Sequence, residues 1–474
     1  MYLNHSSSKH STTNIITDTP KLTTMDPHAG MIWKRGFFGG LELKWTTDPS
    51  LQIIEEIVRR ELSVPKNSLC KVQSLAQGAF NKVYAVQRQG PQDEELIMRI
   101  TLPVQPYFKT ISEHATIEYL KQHTTIPVPE VLKYNAKREA ELGFEWMIMH
   151  RVHGVGLGNQ WTSMSWLKKE LIVRKVVSFL VQLFKTRFPR IGNLYEWSDL
   201  QRLQTSDLPE HTPLGYEHST KETTLCLSQV VSIPFFLGKH ATFDIQRGPY
   251  TNSRAWLAAQ LQLYIKGADD PILYEDSGTD SDDDPDEFAT PEAIKSRANR
   301  LIALLPTVFP EGVTEEFVLH HGDLNENNIM VDHLNHEITG VIDWECVHTV
   351  PLWQACQIPK FLNTNFVRNN VPMPEMYSKD EQDDGTFIID DSYFEDCLEY
   401  EKTQLRRFFL EEMARVCPEW VAVHKSYKLQ AAFGEVVLRF GDEGLVALID
   451  TFITRVEENG DSESIREMIR GDDL

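Results

Sequence analysis

The sequence lacks any apolar run long enough to cross a bilayer. A membrane-spanning helix needs about 20 consecutive apolar residues, whereas stretches such as 176–184 have only the length of core elements. The N-terminus has no apolar segment typical of a signal peptide, and it contains no Arg before Arg35. We therefore expect no membrane association and a cytoplasmic location, with a mitochondrial location as the alternative.

Basic residues are also scarce. The 474 residues include 47 Lys and Arg against 69 Asp and Glu, which gives a formal net charge of −22. Binding to nucleic-acid phosphates needs a basic surface, so we expect no nucleic-acid partner. Part of the negative charge is local, because residues 275–287 contain eight acids and no base. This tract predicts a disordered, solvated loop over about 275–289, with phosphorylation of its Ser and Thr residues as the alternative.

Cysteine is rare, and its spacing is uninformative. None of the six cysteines forms a Cys-x-x-Cys pair, so neither a zinc ribbon nor a redox pair is expected. Cys70 and Cys346 lie in apolar contexts and are predicted to be buried thiols. Residues 1–30 are polar and rich in Ser and Thr, which predicts a disordered tail. The remaining composition is typical of a soluble globular protein, with 41% hydrophobic and 24% charged residues.

The strongest signal is a pair of short apolar segments that present acidic and amide side chains at their ends. Asp323 and Asn328 are five residues apart in the first, and Asp343 follows the second. Phosphoryl transfer from a magnesium nucleotide needs a carboxylate to accept the hydroxyl proton, and amide and carboxylate oxygens to hold the metal. We therefore predict that Asp323 is the catalytic base and that Asn328 and Asp343 are Mg²⁺ ligands.

This spacing matches the catalytic loop of protein kinases, although Gly322 replaces the usual Arg and Trp344-Glu345 replaces Phe-Gly. His-Gly-Asp followed by Ile-Asp-Trp-Glu resembles the aminoglycoside phosphotransferase family and its choline-kinase-like relatives. The context over 340–357 is similar to the fungal branch of that family. The resemblance, carried by motifs in roughly 70–150 and 315–365, implies ATP- and Mg²⁺-dependent phosphorylation of a small-molecule hydroxyl.

The resemblance also implies a fold. It is a bilobal, protein-kinase-like α+β fold with a small antiparallel-sheet N-lobe over 31–150 and a larger, mainly helical C-lobe over 151–474. In such an N-lobe, the turn between two strands covers the nucleotide phosphates with backbone N–H groups. We assign Gly78, Phe80 and Asn81 to that turn, with an ordinary hairpin as the alternative.

Two further parts of the nucleotide site follow from the same resemblance. Arg99 stands where kinases use Lys to grip the α- and β-phosphates, and Arg can bind phosphate in a fork. Glu113 in the following helix is its predicted partner, with Glu118 as the competitor. After the strand over 144–149, the adenine ring is expected to bond backbone groups near Met149 to Arg151.

The remaining elements are mainly helical. Asp48 is predicted to cap a helix that begins at Pro49, Ser253 to cap one over 253–266, and Thr290 to open one that ends near Leu305. Other helices are expected at 164–187, 393–415, 418–433 and 442–457, with an irregular insertion over about 192–250. The stretch 351–361 is expected to begin a helical C-terminal region.

Three functional alternatives remain at this point. A protein kinase is disfavoured, because no segment ending in Ala-Pro-Glu follows Asp343. A nucleotide-binding pseudokinase that acts as a scaffold is favoured by the single Gly78, by Arg99 and by the missing Phe-Gly. If the protein is a small-molecule kinase, the acidic residues in 380–391 permit a cationic acceptor, whereas a solvated loop is the other interpretation of that segment.

Overall fold

The computed structural model of the protein describes residues 26–36, 40–88, 95–138, 141–203, 209–214, 224–270, 290–381 and 387–470. The first 25 residues and the acidic tract at 275–287 lie outside these ranges, so the predictions of disorder and phosphorylation made for them stay predictions. Over the described residues, the chain forms a small antiparallel-sheet lobe and a larger, mainly helical lobe. The predicted fold class is confirmed.

The N-lobe is built on a five-stranded antiparallel sheet in the order β3-β4-β5-β7-β6. Its elements are β1 (Met31–Arg35), β2 (Leu41–Trp45), α1 (Leu51–Glu61), β3 (Cys70–Gln77), β4 (Asn81–Arg88), β5 (Leu96–Thr101), α2 (Phe108–His123), β6 (Val131–Asn135) and β7 (Glu145–His150). The central strands β5 and β7 contribute the fully buried residues Met98, Ile100 and Ile148, which pack in one core cluster with residues of α1.

The two N-lobe helices have different roles. The first, α1, buries Ile54, Ile57 and Val58 in the N-lobe core. It begins two residues later than predicted, because the side chain of Ser50 rather than that of Asp48 accepts the N-terminal hydrogen bond. The second helix, α2, joins the larger core through Ala115, Ile117 and Leu120, so it connects the two lobes.

The C-lobe contains most of the helices. Its elements are β8 (Val155–Gly156), α3 (Trp166–Lys185), β9 (Asn193–Glu196), α4 (Trp197–Gln201), β10 (Thr212–Pro213), β11 (Leu225–Ser228), α5 (Ile233–Phe236), α6 (Ser253–Gly267), α7 (Pro291–Val308), β12 (Phe317–His320), β13 (Ile329–Val331), β14 (Ile338–Val341), β15 (His348–Pro351), α8 (Leu352–Ala355), β16 (Lys379–Glu381), β17 (Phe387–Ile389), α9 (Asp391–Val416), α10 (Pro418–Ser426), α11 (Lys428–Leu438), α12 (Val446–Asn459) and α13 (Ile465–Arg470).

Several predicted boundaries in this lobe were wrong. Asn252 rather than Ser253 caps α6, because Ser253 is buried inside the helix and hydrogen-bonds to Glu315 and Trp353. The helix expected over 418–433 is two helices that meet at Tyr427. The stretch 351–361, expected to begin a helical region, contains only the single turn of α8 and the start of a 3-10 turn at Lys360–Leu362.

Thr290 caps α7 as predicted, although the helix runs on to Val308. The insertion over about 192–250 was expected to be irregular, but its described residues contain the small sheet β10-β11-β9.

The core of the C-lobe joins α3 to the C-terminal helices. Val173, Val176 and Val177 of α3 are buried in the same cluster as Phe409 and Phe452. Among the helices of the described ranges, none is long and apolar enough to cross a membrane.

All six cysteines are free. Cys70 is buried as predicted, whereas Cys346 is only partly buried.

Candidate active site

A short antiparallel hairpin places the predicted metal ligands side by side. Ile329 of β13 lies opposite Val341 of β14, and both residues are buried. The ladder continues by one more bond, because the N–H of Ile342 donates to the carbonyl oxygen of Asn328 at 2.9 Å. Asn328, just before β13, and Asp343, just after β14, therefore lie at the same end of the hairpin.

The five-residue interval between Asp323 and Asn328 closes a loop through side-chain hydrogen bonds. Nδ2 of Asn328 donates to the main-chain oxygen of Asp323 at 2.8 Å and to its carboxylate at 3.1 Å. Nδ2 of Asn325 also donates to the same carboxylate oxygen, at 3.0 Å. Because both Asn328 donors are used on Asp323, the amide oxygen of Asn328 remains for another partner, such as a cation.

His321 joins this loop to the segment that carries Asp343. Its Nδ1 accepts from the N–H of Asp323 at 3.3 Å, and its Nε2 donates to the carbonyl oxygen of Ile342 at 3.0 Å. Burial lowers the pKa of His321, so the imidazole is neutral and carries its proton on Nε2. The ring lies edge-on against the buried indole of Trp344, the residue that replaces Phe in this motif.

Asp343 occupies an unusual position. Its φ angle of 67° lies in the left-handed region, which is rare for a residue other than glycine. Burial raises the pKa of its carboxyl group, repulsion from Glu345 raises it further, and Arg99 opposes both effects. A divalent cation would stabilise the ionised form of this partly buried carboxyl group with its acidic neighbour. Together with the Asn328 amide oxygen, this carboxylate provides the oxygen ligands that Mg²⁺ prefers.

The structure pairs Arg99 with Glu113 and not with Glu118. The guanidinium of Arg99 on β5 forms a buried ion pair with the carboxylate of Glu113 on α2. It also contacts Sδ of Met147 at 3.7 Å. Burial alone would lower the pKa of Arg99, but the carboxylates of Glu113 and Glu345 raise it overall, so the group stays charged.

The predicted phosphate turn is a tight hairpin between β3 and β4. The N–H of Gly78 donates to the carbonyl oxygen of Asn81 at 2.9 Å, and Gly78 is exposed with open space around its Cα. Phe80 lies edge-on to Phe236, with ring centroids 5.6 Å apart. The Asn81 side chain is buried and donates to Glu345 at 2.8 Å. The hairpin is therefore present, while its contact with a nucleotide stays a prediction.

The predicted adenine contacts lie at the end of β7. Met149 is buried between β5 and β6. The main-chain N–H of His150 donates to the carbonyl oxygen of Glu130 at 2.9 Å, and that of Arg151 donates to the carbonyl oxygen of Glu95 at 2.8 Å. The Arg151 side chain is exposed and pairs with the Glu95 carboxylate at 3.0 Å. Because both N–H groups are used within the N-lobe, an adenine ring here would depend on carbonyl oxygens or on residues further along the connector.

Lys360 is a site residue that the sequence did not reveal. Its Nζ lies 2.8 Å from Oδ1 of Asp323. The N–H of the next residue, Phe361, donates to the carbonyl oxygen of Leu324 at 3.1 Å, which holds the two segments together. Burial raises the pKa of Asp323, but the hydrogen bond and charge of Lys360 outweigh this effect and lower it overall. Asp323 is therefore ionised at neutral pH.

Lys109 is the second residue that was missed. It lies at the start of α2, is 1% exposed, and forms an ion pair with Glu345. Its Nζ also donates to Oγ1 of Thr101 at 2.6 Å and reaches Oδ1 of Asn81 at 3.5 Å. This network joins β4, β5 and α2 of the N-lobe to the segment that follows Asp343. The one signal in the sequence was a Lys next to the apolar face of the predicted helix.

Comparison with known proteins adds an independent finding. A family model described as the phosphotransferase enzyme family matches residues 71–234 and 236–354. A subtelomeric hrmA-associated cluster protein from Aspergillus fumigatus is 25% identical in an alignment of length 315 that covers 61% of this chain and 60% of that protein. Altered inheritance of mitochondria protein 9 from Debaryomyces hansenii is 27% identical in an alignment of length 157 that covers 30% of this chain and 25% of that protein. The chain thus spans about 60% or less of the length of these curated relatives.

Solved structures give more distant matches. The aminoglycoside phosphotransferase APH(2")-IIa in a ternary complex with streptomycin and ATP is 11% identical, with 90% of this chain and all of that chain covered and a TM-score of 0.43. The aminoglycoside phosphotransferase APH(4)-Ia is 13% identical, with 87% and 100% coverage and a TM-score of 0.40.

Proposed function

Because the chain belongs to the phosphotransferase enzyme family, we propose that it transfers the γ-phosphoryl group of ATP to a hydroxyl group of a small molecule, with Mg²⁺ as the metal. The observation that carries this proposal is the assembly of Asp323, Asn328 and Asp343 around the open end of one hairpin. It brings together an ionised carboxylate, an amide oxygen and a second carboxylate, which are the groups this reaction needs.

The nucleotide and the metal fit the residues present. Asn328 and Asp343 would hold Mg²⁺, which when bound neutralises the charge that develops on the phosphates. Arg99 is fixed by its ion pair with Glu113, and it would hold the α- and β-phosphates. The hairpin turn at Gly78 would cover them with backbone N–H groups.

The chemical step falls to Asp323. Its carboxylate accepts the proton of the acceptor hydroxyl while the hydroxyl oxygen forms a bond to the γ-phosphorus. The bond between that phosphorus and the β,γ-bridging oxygen breaks, and ADP leaves with the electron pair. His321 and Asn328 hold the loop of Asp323 in place through the hydrogen bonds described above. Positioning and charge stabilisation would supply most of the rate.

The positive charge of Lys360, next to the proposed base Asp323, affects which acceptor molecules the site can bind. Lys360 places an ammonium group beside Asp323, and a cationic group close to the reacting hydroxyl would be repelled by it. The site therefore favours a neutral or anionic group next to that hydroxyl over the cationic acceptor that the acidic segment 380–391 suggested. Residues 382–386 of that segment lie outside the described ranges.

A pseudokinase scaffold is the function to be separated by experiment. We propose a thermal-shift screen of the full chain with Mg-ATP against hydroxyl-bearing metabolites of each charge class, followed by radiolabel transfer to the compounds that bind. The wild type should phosphorylate at least one of them. Asp323→Asn should lose transfer by at least about 100-fold and still bind Mg-ATP, whereas the exposed-site control Asp461→Asn should behave as wild type.

Three outcomes are distinguishable. Mg-ATP binding without transfer to any acceptor or to water would favour the scaffold. Full transfer by Asp323→Asn would refute the assignment of the base. Failure of the wild type to bind Mg-ATP would refute the proposed function.

A further inference from the structure

Three side chains with metal-binding atoms meet at the surface, outside the candidate active site. His153, Asp332 and His333 each offer one such atom, and these atoms lie within 4.8 Å of one another. Asp332 follows β13, whereas Asn328 precedes it. At about 3.3 Å per residue, the four steps between these residues put the cluster about 13 Å from the candidate magnesium site.

We propose that His153, Asp332 and His333 bind a divalent transition-metal ion, with Zn²⁺ preferred. Two imidazoles and one carboxylate are ligands typical of Zn²⁺, whereas Mg²⁺ and Ca²⁺ prefer oxygen ligands alone. With metal–ligand bonds of about 2.1 Å in a tetrahedral site, ligand atoms lie about 3.4 Å apart. Nε2 of His153 and Oδ2 of Asp332 are already 3.3 Å apart. His333 is exposed, so its ring can turn to complete the set.

The carboxylate is oriented by the main chain. The N–H groups of Leu334 and Asn335 donate to Oδ1 of Asp332 at 2.9 and 3.0 Å. These two bonds fix the side chain and leave Oδ2 directed at His153. A ligand that is already oriented loses little conformational freedom when the metal binds.

The main chain also holds His153 in place. Its carbonyl oxygen accepts a hydrogen bond from the hydroxyl of Thr339 on β14. The next residue, Gly154, has a φ of 101° and approaches Val331 so closely that a Cβ would lie 2.2 Å from the Val331 oxygen. Only glycine permits this approach, and it keeps the connector against the end of β13.

The position of the cluster indicates what a bound ion would do. His153 lies on the connector between β7 of the N-lobe and β8 of the C-lobe. Asp332 and His333 lie in the turn between β13 and β14, the hairpin whose other end carries Asn328 and Asp343. The ion would cross-link the connector to this hairpin and restrict motion of the lobes about it. This inference does not depend on the proposed phosphotransfer.

The test uses the full chain freed of metal with a chelator and then desalted. Zn²⁺ is titrated by calorimetry in excess Mg²⁺, and Co²⁺ is titrated by visible absorption, which reports nitrogen and oxygen ligation directly. The variants are His153→Ala and His333→Ala. The matched control is His336→Asn, because His336 is in the same turn but outside the cluster and has a φ of 60° that Asn tolerates.

We expect one Zn²⁺ per chain from this cluster, with a dissociation constant in the micromolar range. The affinity should fall by at least about tenfold in each cluster variant and stay unchanged in His336→Asn. Zn²⁺ should raise the melting temperature of the wild type and of the control but not of His153→Ala. Unchanged Zn²⁺ affinity in His153→Ala and His333→Ala, or wild-type binding only at millimolar Zn²⁺, would overturn the proposal.

Discussion

Removing the Lys109 ammonium group tests how much the ion pair between Lys109 and Glu345, which links the two lobes, contributes to the stability of the protein. In Lys109→Met, the Glu345 side chain, which is only 9% exposed, loses its main counter-charge. Removing one partner of a buried pair costs about 3–5 kcal/mol, because the remaining charge is left uncompensated. Arg99 also attracts Glu345 and so offsets part of this loss, which places the expected cost in the lower half of that range.

This loss in the free energy of unfolding can be converted to a shift in melting temperature. An unfolding entropy of about 2.1 cal/mol/K per residue gives about 1 kcal/mol/K for 474 residues. If the chain unfolds as one unit, Lys109→Met should therefore melt about 3–4 °C below the wild type. Differential scanning calorimetry measures the shift and also shows whether the lobes unfold together.

The double variant Lys109→Met/Glu345→Gln separates charge from packing. With both charges removed, no buried charge is left without its partner, and the melting temperature should recover most of the way to the wild-type value. Lys169→Met serves as a control, because Lys169 is equally buried but its partner Glu401 is 34% exposed and screened by solvent. The melting temperature should therefore decrease less in Lys169→Met than in Lys109→Met. A Lys109→Met protein that melted with the wild type, or a double variant no better than the single one, would contradict this reasoning.

Three other variants test separate parts of the structure. Asp343→Ala should abolish the Mg²⁺-dependent part of ATP binding in calorimetry, since it removes a carboxylate proposed to hold the metal, and unchanged Mg²⁺ dependence would exclude that role. Lys360→Met should lower kcat by only a factor of about 2 to 5, because both side chains of the pair are about half exposed and screened by solvent. Lys360→Arg should retain most of the rate, and equal rates in all three proteins would show that Lys360 is dispensable. Burial raises the pKa of Glu145 from 4.5 to about 7, so the folded state binds this proton more tightly and stability should fall as the pH rises from about 4.5 to about 7. At pH 8 the free energy of unfolding of Glu145→Gln should therefore exceed that of the wild type by about 3 kcal/mol at most, with little difference at pH 4. Denaturant unfolding at the two pH values measures this, and a difference that did not depend on pH would rule the explanation out.

The trio of Asp323, Asn328 and Asp343 could be predicted from sequence because its geometry is local. The loop closes through hydrogen bonds between residues five apart, and the hairpin pairs segments that follow each other in the chain. The pattern of two apolar strands with polar residues at their ends is therefore nearly sufficient to predict that these three side chains lie together. Helix boundaries were less certain, because Ser50 and Asp48, or Asn252 and Ser253, are equally good caps by residue type.

The choice of the ion-pair partner of Arg99 could not be made with certainty from the sequence. Glu113 and Glu118 are five residues apart on α2, and at about 100° per residue they point about 140° apart. Only one of them can face β5, and the rotation of α2 in the folded chain selects Glu113.

Contacts between distant segments were decided by the tertiary structure alone. Lys109 and Glu345 are 236 residues apart, and Lys360 lies 37 residues beyond Asp323. No periodicity or spacing relates such residues, since their meeting depends on how the two lobes and the C-terminal helices pack. The sequence by itself thus determined the proposed reactive groups and their local loop, whereas the fold determined which charges surround them. The physical reason is that local hydrogen bonds are set by neighbouring residues, while the burial and pairing of a charge depend on the whole chain.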